Sequence, residues 1–478
     1  MTEISGTLTT DPATKRRWIA LVVISLAQLM VVFDASIMNV SLPQAQQDLG
    51  FSDDGRQWVI TSYSLTFGAL LLLGGRLSDR WGHGRTFTIG LLGFGAASVL
   101  GGLAPTIEFL IAARVAQGAC AAILAPAALT LLSLTFAKGR ERTRAVGVFS
   151  AVAGAGGGIG MLLGGSLTEF TSWRWTLLVN AFFAAAALAG RIIYMKEARA
   201  QAQADRLDLS GLLMVSAGLA GLVFGFSRAE TMGWGHVSTV SSIVAALVLI
   251  TAFAITESRV QSPLLPLHVL LNRNRGSAYL SGALASAVLF TQFLLLSYYL
   301  QSTLGFTPLW CGIAFLPVVL CLILGSSFAG PRLMRRIPAQ MLMGTGYLVS
   351  GAGLLWLTGI TTENTYPTVV LPASLLIGLG TGTAFTCSMV LATDGVQPKD
   401  LGIASAVVNT SQQVGGAVGT ALLSSLAAGA AATAAQGQAG PAAAVAGYVV
   451  AFQWASGFMV LAAIISFALM RRHPEDSK

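Results

Sequence analysis

The stretch WIALVVISLAQLMVVFDASIMNVSL, residues Trp18–Leu42, decides how the rest of this chain is understood. Asp34 is its only charged side chain. A helix crossing a bilayer needs about 20 mostly apolar residues at about 1.5 Å rise each, and this run is long enough. It lacks the period-two alternation of a barrel strand. Lys15, Arg16 and Arg17 precede it, but it far exceeds the apolar region of a cleavable signal, about 7–15 residues. The segment is therefore expected to stay in the membrane as a first helix.

Composition extends that reading to the whole chain. Of 478 residues, 54% are hydrophobic and 10% charged, against about 25% charged in soluble domains. Fourteen windows qualify as spans: Trp18–Leu42, Gln57–Gly75, Thr86–Ala104, Ile107–Phe136, Ala145–Leu167, Trp173–Tyr194, Leu209–Phe226, Val237–Thr256, Gly276–Gln301, Leu309–Ala329, Ala339–Thr358, Val369–Thr393, Gly402–Ala428 and Ala446–Met470. The expected fold class is an all-α polytopic membrane protein.

The net charge of +8 does not point to nucleic acid, because the basic residues sit in short clusters between the apolar runs. One side collects Lys15, Arg16, Arg17, Arg76, Arg80, Arg85, Lys138, Arg140, Arg142, Arg144, Arg191, Lys196, Arg199 and Arg206. It continues with Arg259, Arg273, Arg275, Arg332, Arg335, Arg336, Lys399, Arg471, Arg472 and Lys478. The other side has Arg56, Arg174 and Arg228, and Arg114 lies inside a span. Positive loops face the cytoplasm, so both termini are expected there, with an even number of helices.

Several chemistries are excluded. No lysine follows a glycine, so a phosphate-binding GxxxxGK[ST] loop is impossible. The four histidines (His83, His236, His268, His473) fall in expected loops, and the four cysteines (Cys120, Cys311, Cys321, Cys387) fall in spans without a CxxC pair. No metal or cofactor site is expected. Nor is there a Ser/His/Asp, HExxH or paired-carboxylate set for a membrane enzyme, or a ring of like charge for a channel. Energy would come from an ion gradient or from the substrate's own gradient.

Asp34 is the acid well inside a span. An ionised group at mid-membrane costs about 2.5–3.5 kcal/mol on insertion scales, and desolvation favours its protonated form. Two readings stay open, a proton carrier and a structural acid. Arg114 lies at the same depth, roughly 10–12 Å below the outer surface at about 1.5 Å per residue, so the two can pair.

Gly156, Gly160 and Gly164 form a doubled GxxxG, with Gly154 and Gly165 beside it. Small residues on one face let helices approach closely. Asp79, flanked by Arg80 and Arg85 and by Gly75 and Gly82, could latch a basic loop to neighbouring helix ends by charge-assisted hydrogen bonds. A degraded echo, Gly330-Pro-Arg-Leu-Met-Arg-Arg336, follows the tenth span. Such repeats mark transporter halves with substrate bound between them.

Taken in order, these motifs resemble the major facilitator superfamily, specifically its 14-helix drug:proton antiporter family. Phe33-Asp34 through Pro43 resembles the helix-one motif, Gly75-Arg-Leu-Ser-Asp79-Arg80-Trp-Gly82-His-Gly-Arg85 the cytoplasmic-loop motif, and Arg114-x2-Gln117-Gly118 the helix-four motif. Gly154–Gly165 resembles the antiporter motif, followed by Ser172-Trp-Arg-Trp175 and Asn180. Pro263–Pro266, Tyr299–Gln301, Gly312–Pro317 and Gly402–Gly416 continue the match. Two departures stand out. Met161 occupies a usual proline position, and His83-Gly84 replaces basic residues.

The resemblance implies a six-helix bundle over 1–195, a linker with two extra spans over 196–260, and a second bundle over 261–478. It implies proton-coupled export of lipophilic or cationic drugs, by a monomer in a bacterial plasma membrane. A specific metabolite transporter on the same fold is the alternative. Partners would be a small-molecule substrate, protons and lipid, without nucleic acid. Asp34 and Arg114 would couple the proton, and Gly75, Asp79, Arg80, Gly82 and Arg85 would gate the cytoplasmic side. Trp58, Tyr63, Gln292, Tyr298, Phe315, Asn409 and Gln412 would contact substrate.

Overall fold

The computed structural model describes residues 12–51, 53–136, 139–195, 209–257, 259, 265, 270, 272–363, 365–397, 400–435 and 440–469. The expected surface segment Lys196–Asp208 lies outside the described residues, as does the Pro263–Pro266 motif apart from Leu265.

Helices dominate what is described. They are α1 (Pro12–Leu49), α2 (Asp53–Trp81), α3 (His83–Gly102), α4 (Ile107–Thr135), α5 (Gly139–Phe170), α6 (Trp173–Tyr194), α7 (Leu209–Met232) and α8 (Val237–Glu257). Next come α9 (Arg273–Tyr298), α10 (Pro308–Ala314), α11 (Leu316–Leu324) and α12 (Gly330–Leu333). The last are α13 (Ala339–Leu357), α14 (Val370–Ala392), α15 (Leu401–Ala434) and α16 (Pro441–Leu469). The stretch α10–α12 follows the tenth expected span. Pro317 lies in the first turn of α11, just past the α10 junction. A π-helical turn, Gly325–Ala329, precedes Pro331, where the ring cannot supply the backbone N–H of a regular turn.

Among the described residues, eleven helices are long and apolar enough to cross a membrane. The count of fourteen is corrected to that extent. Helices α3, α7 and α13 occupy the other three windows: glycines such as Gly90 and Gly346 dilute the hydropathy of α3 and α13, and the apolar part of α7, Ser210–Phe226, falls short in length among the described residues. The loop expected at Ala427–Ala443 is also shorter than the sequence suggests, since α15 continues to Ala434 and α16 begins at Pro441. Alanine favours helix wherever nothing breaks it. His83, expected in a loop, is the first residue of α3.

Side chains set where helices start. Thr106 accepts from Phe109 N at the head of α4, Ser172 from Arg174 N at α6, and Asn272 from Asn274 N and Arg275 N at α9. Each satisfies backbone donors that the first turn leaves open.

Helices α1–α6 pack as one group through the pairs α1/α5, α2/α4, α3/α4 and α3/α6. Helices α9–α16 form another through α13/α14, α9/α15 and α13/α16. The groups meet along α5 against α10–α12 and α14, and along α2 and α4 against α15. Helix α7 lies against both α2 and α15, while α8 packs on α7. Gly218, Gly221 and Gly225 of α7 receive Ile250, Ala246 and Ile243 of α8. The outer surface is apolar, with Val240, Val244, Leu247 and Val248 of α8 exposed. A continuous band of that kind suits lipid and not water.

Candidate functional site

Asp34 is fully buried, and three helices converge on its carboxylate. From α4, Arg114 Nη1 donates to Oδ2 at 2.5 Å. Gln117 Nε2 donates to Oδ1 at 3.0 Å, and from α6 Asn180 Nδ2 donates to Oδ1 at 2.7 Å. The arginine is itself fixed. Its Nη1 also donates to Gln117 Oε1 at 3.0 Å and its Nε to the Val59 carbonyl at 3.3 Å. Its guanidinium carbon stands 4.3 Å from the centre of the Tyr63 ring. Tyr63 in turn donates to the Val31 carbonyl at 3.3 Å, and Gln117 donates to Ser98 Oγ of α3 at 2.7 Å.

The pairing expected from equal depth is thus direct. A buried carboxylate needs both an opposite charge and hydrogen bonds to its remaining lone pairs, and this one has both. Gln117 and Asn180 carried motif positions but no role in the sequence reading. Gln117 was within reach, since i and i+3 share a helix face with Arg114. Asn180 and Ser98 come from other helices, and no spacing points to them.

At the arginine-rich end, Asp79 of α2 accepts from Gly402 N in the first turn of α15, at 3.0 Å. A carboxylate at a helix N-terminus meets unpaired N–H groups and the positive end of the helix dipole. The approach requires glycines. A Cβ on Gly75 would stand 2.7 Å from Ala406 Cβ, and a Cβ on Gly402 would strike the Asp79 carboxylate. Thr130 of α4 donates to the Leu401 carbonyl at 3.2 Å, and Arg142 Nη2 donates to Thr393 Oγ1 at 2.8 Å. All of these bonds run from the first group of helices to the second, so this end is closed.

Gly82 alone joins α2 to α3, with φ +89°, a conformation that favours glycine. Arg80 and Arg85 are exposed beside it. His83 and Ser78 share a hydrogen bond of 2.8 Å. Burial pushes the His83 imidazole down to about 4, so it is neutral at pH 7 and adds no charge to the loop.

Helix α5 carries two glycine stripes. Gly156, Gly160 and Gly164 receive Val32, Ser36 and Ile37 of α1, the residues bracketing Asp34. Gly147, Gly154 and Gly158 receive Ser326, Leu322 and Val319 of the second group. The first is the expected doubled GxxxG. The second was not separated from it in the sequence. Gly165 is buried on the same helix.

The seven residues suggested for substrate contact disperse. Tyr63 belongs to the Asp34 cluster. Phe315 is buried against Phe293, ring centres 5.0 Å apart. Gln292 is buried, and Asn409 donates to the Ser405 carbonyl of its own helix at 2.8 Å. Gln412 is half-buried on α15. Trp58 and Tyr298 are exposed; the Trp58 ring faces Phe224 of α7, which puts it on the α2–α7 seam.

Known proteins place this geometry in context. The sequence model described as Major Facilitator Superfamily matches residues 24–420. The chain is 46% identical to the puromycin resistance protein pur8 of Streptomyces alboniger, over 96% of this chain and 92% of that one. It is 39% identical to the cephamycin export protein CmcT of Amycolatopsis lactamdurans, over 88% of each. It is 33% identical to the lincomycin resistance protein of Streptomyces lincolnensis, over 86% of this chain and 85% of that one. Among solved structures, the human organic anion transporter MFSD10 superposes with a TM-score of 0.66 at 15% identity, covering 94% of this chain and 99% of that one.

Proposed function

We propose, starting from the fact that this chain belongs to the Major Facilitator Superfamily, that it is a proton-coupled exporter of antibiotic-sized lipophilic or cationic molecules. It works as a monomer in a bacterial plasma membrane with both termini cytoplasmic. The relatives named for puromycin resistance, cephamycin export and lincomycin resistance support the substrate class. The same reading takes α3, α7 and α13 as spans, giving the fourteen of the drug:proton antiporter family. It divides the chain into bundles over 1–195 and 261–478 around an insert over 196–260. No cofactor is needed beyond the proton gradient.

One observation carries the mechanism: Asp34 is held by donors from two helices, with Arg114 as its counter-charge. Protonating the carboxyl removes the charge that Arg114 pairs with and frees one oxygen from acting as an acceptor. The hold of α4 and α6 on α1 then weakens. Because α5 touches α1 with one glycine stripe and the second bundle with the other, a shift of α1 reaches the interface between bundles. Asp79 and Gly402 close the cytoplasmic end in this state and part when the cavity turns inward. Release of the proton from Asp34 and binding of substrate alternate, and the two travel in opposite directions.

The test is efflux from proteoliposomes under an imposed pH gradient, with puromycin as probe. Asp34→Asn should abolish gradient-driven transport while keeping puromycin binding. Undiminished gradient-driven transport by that variant would overturn the assignment.

A further inference from the structure

At the arginine-rich end, between the two bundles, lies a cavity of about 1270 Å³ that takes no part in the proposed proton pathway. Seven arginines line it: Arg140, Arg142 and Arg144 from α5, Arg275 from α9, and Arg332, Arg335 and Arg336 in and after α12. Among the described residues, Asp394 is the single acid in its wall. Two of the guanidiniums lie near rings, Arg144 by Trp18 and Arg332 by Phe328, and Arg142 reaches Thr393. Arg275 is buried and Arg142 half-buried, whereas Arg140, Arg144, Arg332, Arg335 and Arg336 are exposed.

Loop arginines on this face are expected from topology alone. Topology would leave them spread in water, where each repels its neighbours little. Here they converge in a walled space, and α5, α9, α13 and α15 all begin at that wall. Their dipoles add positive potential to the side-chain charges, while Asp79 and Asn272 take first-turn N–H groups of α15 and α9. A single carboxylate does not neutralise this concentration. Guanidinium forks match the oxygens of phosphate two at a time.

We propose that this cavity binds a phosphate-bearing ligand, either the headgroup of an acidic phospholipid or a soluble phosphate. Arg140, Arg142 and Arg144 belong to one bundle, and Arg275, Arg332, Arg335 and Arg336 to the other. A bound phosphate anion ties the bundles together at this end. It reinforces the closure made by Asp79 with Gly402, and its departure leaves like charges facing one another across the gap. Occupancy therefore favours the state closed to the cytoplasm.

The test is binding, measured apart from transport. Full-length protein in detergent is titrated with inorganic pyrophosphate. In a second arm, the protein is placed in phosphatidylcholine nanodiscs with or without phosphatidylglycerol. Thermal unfolding is followed in both. A rise in midpoint with pyrophosphate assigns the soluble source, and a rise with phosphatidylglycerol alone assigns the headgroup. Either effect should weaken about ten-fold in the exposed pair R335Q/R336Q, and fall with added salt. It should persist in K15Q/R16Q, which removes equal charge outside the cavity. No rise in either arm, or the same loss in both variants, would overturn the proposal.

Discussion

Helix α1 carries two carboxylates that each meet an arginine, and they differ in almost everything else. Asp34 is sealed from solvent and bonded to Arg114, Gln117 and Asn180. Asp48, about 21 Å further along the axis at about 1.5 Å per residue, pairs with Arg174 and accepts from the Trp173 indole N–H at 3.0 Å, in the open. Water can replace any partner of Asp48, so that pair fixes geometry and little energy. Nothing replaces the partners of Asp34. In the proposed mechanism a change in its charge is met by movement of the helices that hold it, whereas the Asp48 pair only anchors.

The contrast can be broken most directly at Arg114. Arg114→Leu strands a buried charge, at a cost of about 3–5 kcal/mol, and the folded yield and thermal midpoint in detergent should fall sharply. Adding Asp34→Asn should restore much of both. If the single variant is as stable as the parent, the two pairs are not different in kind. A smaller effect comes from the helix behind Asp34. Gly160→Val drives a side chain into Ser36 and the Phe33 carbonyl, an overpacking worth about 1–3 kcal/mol. Gly157→Val, which meets nothing within 4 Å, should leave the same midpoint nearly unchanged.

Asp79→Asn keeps the shape of the contact with Gly402 and removes its charge, about 0.3–1 kcal/mol at a helix N-terminus. Turnover in proteoliposomes should drop while substrate affinity holds. Unchanged turnover would limit the closure to packing. Asp48→Asn should do least, leaving efflux and midpoint as they are. The hydrogen bonds from Arg174 and then Trp173 hold the Asp48 carboxyl below the usual carboxylate range. Whatever the pair contributes is therefore present at neutral pH and lost only as the medium becomes strongly acid. A thermal-stability step near neutral pH should not trace to this residue.

Hydropathy made most helices legible, because a bilayer demands length and apolarity of each span independently. The signal is weakest over α3, α7 and α13, whose glycines serve close packing against neighbours and contribute little apolar surface. Asp34 and Arg114 were legible because charge is costly in lipid and depth can be counted from helix ends. Gln117 and Asn180 are neutral and cost less, so the sequence gives no such alarm. The two stripes on α5 interleave in one glycine run, and only the opposing side chains, Val32 and Ser36 on one side and Leu322 and Val319 on the other, tell them apart. Convergence of the arginines was invisible for a similar reason. The sequence shows them dispersed among three loop regions, and only packing brings them to one wall.

The single-residue link at Gly82 has a mechanical corollary. A joint that short has no slack, so the ends of α2 and α3 meet in a V and move together at that corner. One arm of the V ends at Asp79 beside the partner bundle, and the other carries Ser98, which steadies Gln117 against the buried acid. Lengthening that corner by a few flexible residues would uncouple the arms, leaving the latch free to open without the acid registering it.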